Sequence, residues 1–439
     1  MTSNSRRVVI TGLGLVSPLG NSAAELWQGL SSGTSGVDRI TQFDADNLPS
    51  PFGAECRSFT GDIGDFGPLE KTMQRNIKKN LKVMCREIEM GVAAAQLALN
   101  DAGLAPGSCD PDRTGVVYGC DYILTMPEEF AGAVRKCMDD QGRFHFDRWA
   151  DAGLPEVTPL WLLKYLPNMP ASHIAIYNDF RGPNNSITMR EAAANLAIGE
   201  AYCTILRDSA DRIVAGATGT RIHPMRSVHV MLQEQIATGD NPTKLSRPFD
   251  RERSGMVVGE GAGAIVLEEL QAAKNRGATI LGEVVGHASS TVMDRQGVGC
   301  LATAIANVLR LAMKSAGLEP DDVGHIHAHG LGTLRCDAEE AKAIHDVFAS
   351  RSKPIPVVAA KSNFGNLGAA GGMVELIGSV LAFGDGSLFP TLNYETPDPD
   401  CPVHVVTDRN TPTGDTFINI SVTPVGQASA TVVRRWADE

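Results

Sequence analysis

Short apolar runs alternate with alanine-rich stretches of helical spacing along almost the whole chain. A short apolar run bounded by glycine reads as a strand, and apolar residues recurring every three to four positions read as a helix. On that basis Val8 to Thr11 is a strand, followed by a glycine-rich turn and a helix from about Ser22. Ile88 to Leu104 is helical, and Gly115 to Tyr118 is the next strand. Ile187 to Met189 is a short strand running into a helix from about Glu191 to Arg207, and Arg212 to Ala215 follows as a strand. Ala262 to Leu267, His325 to Ala328, Pro356 to Ala359 and Phe417 to Val422 are further strands. This alternation predicts a layered α/β architecture with largely parallel, buried strands. Lys136 to Trp161 breaks the pattern: it is irregular, charged and aromatic, and is expected to be a long surface insertion.

Composition narrows the function classes. The 439 residues are ample for a large core. Lys plus Arg is 39 against 51 Asp plus Glu, a net charge of −12. That argues against nonspecific nucleic-acid binding, which needs a basic footprint. No apolar run reaches the roughly 18 residues of a membrane span. The polar stretch Met1 to Arg7 leads straight into the first strand, so no signal peptide is expected. The nine cysteines are odd in number, scattered, and form no CxxC pair. They fit free thiols in a reducing compartment, the cytoplasm, and no Cys/His cluster has the spacing of a metal site.

Two glycine-rich runs invite a nucleotide reading, and neither sustains it. Gly12-Leu13-Gly14 follows a strand, but Ser17 stands where a third glycine belongs, and Gly259 to Gly263 enters a strand rather than a helix. Tight turns and close backbone packing account for both. Three other segments fit together. Gly182-Pro183-Asn184 through Ile198-Gly199 carries a strand to a helix through a sharp bend, the layout of a nucleophile elbow. His327-Ala328-His329-Gly330 comes with Thr333, Asp337 and Glu340. Lys361-Ser362-Asn363-Phe364-Gly365-Asn366 precedes Gly368-Ala369-Ala370-Gly371-Gly372.

At these residues the chain resembles the elongating β-ketoacyl-acyl carrier protein synthases (ketosynthases) of the thiolase superfamily. The similarity runs almost end to end, through Val8 to Gly14, Ser246 to Asp250, Gly259 to Gly263 and Pro390 to Asn393. The resemblance implies a thiolase-like five-layer αβαβα fold of two similar halves, here 1–270 (with the insertion at about 136–161) and 271–439. It implies a homodimer, or a heterodimer with an active ketosynthase. It also implies an acyl carrier protein as partner, with the carrier's phosphopantetheine arm delivering the substrate and no further cofactor.

The departures bear on function. Where relatives carry a cysteine at the elbow, this chain has Glu191. The first family histidine is matched by His329 and the lysine by Lys361, but Asn366 stands in the place of the second histidine. The gating loop, Gly-Phe-Gly-Gly in relatives, is matched by Thr423-Pro424-Val425-Gly426, which puts Pro424 and Gly426 at the substrate. Thr333 matches a threonine that contacts the phosphopantetheine arm, while its companion position is Leu331. A carboxylate is a poor stand-in for a thiolate: its pKa is about 4.3, it is a weak nucleophile, and its acyl product is a labile anhydride. In the family one oxyanion donor is the N–H of the gating phenylalanine, and Pro424 has no N–H. Losing one such donor costs about 10²–10³ in rate. Ordinary condensation is therefore expected to be absent.

The first expectation is a chain-length-factor-like or scaffold partner of an active ketosynthase. The alternatives keep some thioester chemistry: His329 and Asn366 stabilising the enolate of a decarboxylating malonyl group, or Glu191 and His329 as the acid–base pair of a hydrolase or dehydratase. Overall similarity alone would assign the activity of an elongating synthase. Against all of these stands a vestigial site, in which Glu191 merely favours a helix N-terminus and Lys361, Asp337 and Glu340 form a structural ion-pair network. Arg75, Lys78, Lys79 and Lys82 have the spacing of one helix face and form a candidate docking surface for an acidic carrier protein.

Overall fold

The computed structural model describes residues 6–437. The reading of the N-terminus rests mainly on residues 1–5, which lie outside the described residues. The first half supplies strands β1 (Val8–Val16), β2 (Thr114–Cys120), β3 (Asn184–Thr188), β4 (Arg212–Thr220) and β5 (Val258–Glu269), side by side in the order β1-β5-β4-β2-β3. The second half supplies β6 (Gly282–Thr291), β7 (His325–His327), β8 (Pro356–Val358), β9 (Thr416–Val422) and β10 (Gln427–Arg434), in the matching order β6-β10-β9-β7-β8. Strand directions match as well. β2 runs parallel to β3 and β4, with β4, β5 and β1 antiparallel in turn; β7 runs parallel to β8 and β9, with β9, β10 and β6 antiparallel in turn. A short antiparallel contact between Val8–Ile10 and Gly282–Val284 joins the two sheets.

Helices complete the layers. α1 (Arg86–Asp101) covers the outer face of β1, β5 and β4, and α3 (Leu301–Ala316) covers β6 and β10. Between the sheets lie α2 (Ala193–Leu206) and α4 (Gly371–Asp385). α4 is buried almost all round, and its small and apolar residues, glycine included, suit a helix with sheet on both sides. The result is the five-layer αβαβα arrangement of two similar halves. Among the described residues no helix is long and apolar enough to cross a membrane.

The structure departs from the sequence reading in three places. The glycine-rich turn after Thr11 is strand: β1 continues to Val16, with its register shifting between Ile10 and Gly12. A Cβ on Gly14 would lie 2.1 Å from the Ala94 carbonyl oxygen of α1, so this glycine exists to let helix and strand touch. The helix expected from Glu191 begins instead with a 3₁₀ turn, Arg190–Ala192, before α2 proper. The segment Lys136 to Trp161 is not irregular. It folds as successive short helical turns from Phe146 to Glu156, held by ring contacts among Phe130, Phe144, Trp149, Trp161 and Tyr165. A satellite aromatic cluster supplies the order that the sequence pattern did not show.

Candidate functional site

Ligands in parallel α/β sheets bind beyond the carboxyl ends of the strands, and the unusual side chains of this chain gather there. Beyond β3, β2 and β4 come Glu191, Asp121 and Arg221; beyond β7 and β8 come His329 and Lys361. The elbow after β3 is sharp, and non-glycine Arg190 takes a positive φ of 50° to make it. Such backbone costs on the order of 1–3 kcal/mol and is held in place by its surroundings.

Glu191 is 4% exposed, and its Oε1 forms an ion pair with Nη2 of the fully buried Arg221. Arg190 Nε lies 3.5 Å from Oε2, and Asn366 Nδ2 donates to Oε1 at 3.3 Å. Burial alone would push the Glu191 carboxyl up; Arg221, then Arg190, outweigh it and hold the group well below the usual carboxylate range. Glu191 is therefore an anion. Arg190 is adjacent in sequence, whereas the stronger partner, Arg221, is 30 positions away. A cation placed directly after the buried strand β4, with an acid at the neighbouring elbow, was the available signal.

The pairing continues inward. Arg221 Nη2 lies 3.7 Å from Asp121 Oδ2, Arg226 forms an ion pair with the same oxygen, and Arg226 Nη1 lies 3.9 Å from Glu87 Oε2. All are buried. Burial, with the Asp121 charge adding to it, outweighs Arg226 and pushes Glu87 up to about 8.

His329 is 1% exposed. Lys361 Nζ donates to the His329 carbonyl oxygen at 2.8 Å and lies 3.3 Å from Nδ1. An ammonium only donates, so Nδ1 accepts and the ring proton sits on Nε2. Burial, then the Lys361 charge, keeps the imidazole well below its ordinary pKa, so it is neutral. The ion-pair network expected for Lys361 with Asp337 and Glu340 is not what forms. Lys361 pairs with buried Glu375 of α4. Glu340 accepts the backbone N–H groups of His329 at 2.7 Å and Gly330 at 2.8 Å. Asp337 accepts those of Leu331 at 3.0 Å, Gly332 at 3.0 Å and Phe249 at 2.8 Å. These carboxylates shape the histidine loop rather than touch a substrate.

The raised acids give a pH expectation. Burial pushes Glu340, like Glu87, up to about 8. An acid whose folded value lies above its unfolded one, about 4.3, takes up a proton on folding. Stability then falls as pH rises between those values and levels off above the folded one. Glu191 has the opposite sign, and its contribution is lost only in acid. The thermal midpoint is expected to fall between pH 6 and 8.5, and Glu87→Gln to shrink the fall; a midpoint level or rising across that window contradicts it.

Glu191 and His329 line a cavity of about 220 Å³ together with Leu331, Thr333, Cys336 and Pro424. The Thr333 hydroxyl also caps the helix Leu334–Phe348, accepting from the Cys336 N–H at 3.3 Å. Asn366 does not line this cavity: its amide N–H₂ faces Glu191 and Met256 Sδ, and its carbonyl accepts from the Gly368 N–H at 3.0 Å. Thr423 to Gly426 is a tight turn joining β9 and β10, closed by the Gly426 N–H donating to the Thr423 carbonyl at 3.1 Å. Gly426, at φ 86°, is tied to Val292 and also stands outside the cavity walls. Arg75, Lys78 and Lys79 lie on the helix Lys71–Asn80; Lys82 falls in the 3₁₀ turn Leu81–Val83 that follows, so the expected single helix is two pieces. All four side chains are exposed.

Comparison with known proteins agrees with this architecture. Residues 5–273 match the family described as Beta-ketoacyl synthase, N-terminal domain, and residues 281–395 match Beta-ketoacyl synthase, C-terminal domain. The chain is 33% identical over 410 residues to 3-oxoacyl-[acyl-carrier-protein] synthase 2 of Synechocystis sp., covering 91% of each. Among solved structures, the ishigamide ketosynthase/chain length factor is similar at a TM-score of 0.82 and 28% identity, covering 99% of this chain and 100% of that one. A type II PKS acyl-carrier protein in complex with its ketosynthase bound to the hexaketide is similar at a TM-score of 0.80 and 25% identity, covering 99% of this chain and 100% of that one. From the elbow at the end of β3 to the matching strand order of its two halves, the chain belongs to the β-ketoacyl synthase family.

Proposed function

We propose that this chain is a non-condensing ketosynthase-like subunit of fatty-acid or polyketide-type biosynthesis. It acts in the cytoplasm, a compartment that its nine free cysteines suit, as a chain-length-factor-like or scaffold partner of an active ketosynthase. The observation that carries the reading is the buried ion pair between Glu191 and Arg221. At the position of the family nucleophile it leaves a carboxylate with one oxygen committed to Arg221 and the Asn366 amide and the other 3.5 Å from the Arg190 guanidinium. Such a group neither attacks a thioester nor takes up a proton near neutral pH.

The carrier protein docks on the cationic face of Arg75, Lys78, Lys79 and Lys82, and its phosphopantetheine arm enters the cavity past Thr333. Two named structures favour this reading, one of a ketosynthase with a chain length factor and one of a ketosynthase with a carrier protein. A malonyl decarboxylase is supported less, because it needs the Asn366 amide free to meet a thioester carbonyl, and that amide donates to Glu191. The acid–base reading fails on the same carboxylate, which is too weak a base when held so far below its ordinary pKa. The test is incubation of the purified protein, alone, with acyl- and malonyl-carrier protein. No β-ketoacyl product is expected; its formation overturns the proposal.

A further inference from the structure

Two cavities flank the buried ion pairs. The one containing Glu191 and His329 is about 220 Å³. The other, about 280 Å³, has the walls an apolar chain would favour, among them Phe43, Met84, Ile123, Met126 and Ile222, with Glu87 and Arg226 also in its lining. The cavities share no residue. Between them stand Arg221 and Asp121, 0% and 1% exposed in their side chains.

We propose that the chain of buried ion pairs Glu191–Arg221–Asp121–Arg226, ending against the Glu87 carboxyl, is a specificity-determining plug: the elbow cavity admits the carrier arm bearing at most a short acyl group and shuts out longer ones. The proposal deepens, and rests on, the reading of this site as that of a non-condensing subunit. Three of the charges come from the carboxyl ends of three neighbouring parallel strands, β3, β2 and β4. That edge is where a pocket in such a sheet opens, so the plug sits across the route an acyl chain would take inward.

A cavity of about 150 Å³ holds one benzene-sized molecule, so the elbow cavity has room for the thioester end of the arm and little more. To pass further, a chain must separate buried partners. Breaking one buried ion pair costs as much as the burial of several methylenes returns, and here the pairs stand in series. A growing chain must then be held by another subunit, as the scaffold reading requires.

Titration calorimetry with non-hydrolysable pantetheine analogues of acetyl, hexanoyl and dodecanoyl thioesters tests this. The wild-type protein is expected to bind the acetyl analogue at least tenfold more tightly than the dodecanoyl one. The variant Glu191→Ala/Arg221→Ala/Asp121→Ala/Arg226→Ala is expected to bind the dodecanoyl analogue at least tenfold more tightly than the acetyl one. If that variant does not fold, the milder Asp121→Asn/Arg226→Met is expected to shift the preference in the same direction. Dodecanoyl binding by the wild type as tight as acetyl binding, variants that keep the wild-type preference, or no binding of any analogue by any form overturns the plug. β-Ketoacyl product in parallel carrier-protein incubations would overturn the non-condensing reading instead, and leaves the chain-length result standing.

Discussion

Replacing Arg221 by methionine is expected to cost about 3–5 kcal/mol of stability, the penalty for leaving one member of a buried ion pair without its partner. Glu191 is largely desolvated, being 4% exposed. Without Arg221 its remaining cation is Arg190, 3.5 Å from Oε2, which places the loss toward the lower end of that range. The carboxyl then protonates at a much higher pH than in the wild type, because burial is no longer outweighed. Glu191→Gln alone is expected to cost less, since Arg221 keeps Asp121 at 3.7 Å. The double variant Arg221→Met/Glu191→Met removes both charges and is expected to lie within about 1–2 kcal/mol of the wild type, as apolar replacements of buried pairs often do. Denaturant midpoints of the wild type and three variants form a double-mutant cycle that isolates the pair. A loss below about 1 kcal/mol in Arg221→Met would mean that the carboxylate is compensated elsewhere, and with it the case for a built anion at the elbow would fail.

What the sequence made legible follows from what is local in it. Alternating strand and helix, the elbow before Glu191, the histidine loop and Lys361 are all short-range patterns, and the structure has each of them. The partners of those residues are not local. Arg221 meets Glu191 because β4 and β3 flank β2, and Glu375 meets Lys361 because α4 runs back beneath β9 and β7; neither pairing follows from spacing along the chain. For the same reason Asp337 and Glu340, read as candidate partners of Lys361, proved to be acceptors for backbone N–H groups of their own loop. The glycines of β1 read locally as a turn but lie in a strand, because glycine signals either a bend or a close approach, and only the neighbour, Ala94 of α1, decides which. The Asn366 amide is likewise spent on a carboxylate 175 positions away in the chain, Glu191, which no local spacing brings against it.

Glu191→Cys is expected to yield a thiol that is alkylated rapidly in a protein that still makes no β-ketoacyl product. The new sulfur would sit beside Arg221 and Arg190, which lower a thiol's pKa. Burial raises Cys56, Cys85, Cys120 and Cys336, so iodoacetamide labelling followed by peptide mass spectrometry should find position 191 modified well before those four. Condensation needs more than a nucleophile. On the resemblance to ketosynthases, Pro424 would supply no N–H to the oxyanion, a deficit of about 10²–10³ in rate, and Asn366 would leave one of the two histidine positions unfilled. With acetyl- and malonyl-carrier protein as the pair least hindered by the charges behind the elbow, Glu191→Cys/Asn366→His/Pro424→Phe is expected to exceed the single variant by at least about 100-fold. If the single cysteine variant condenses as fast as the triple one, the losses at Asn366 and Pro424 are immaterial. The ion pair at Glu191 would then be the only thing separating this chain from a working condensing enzyme.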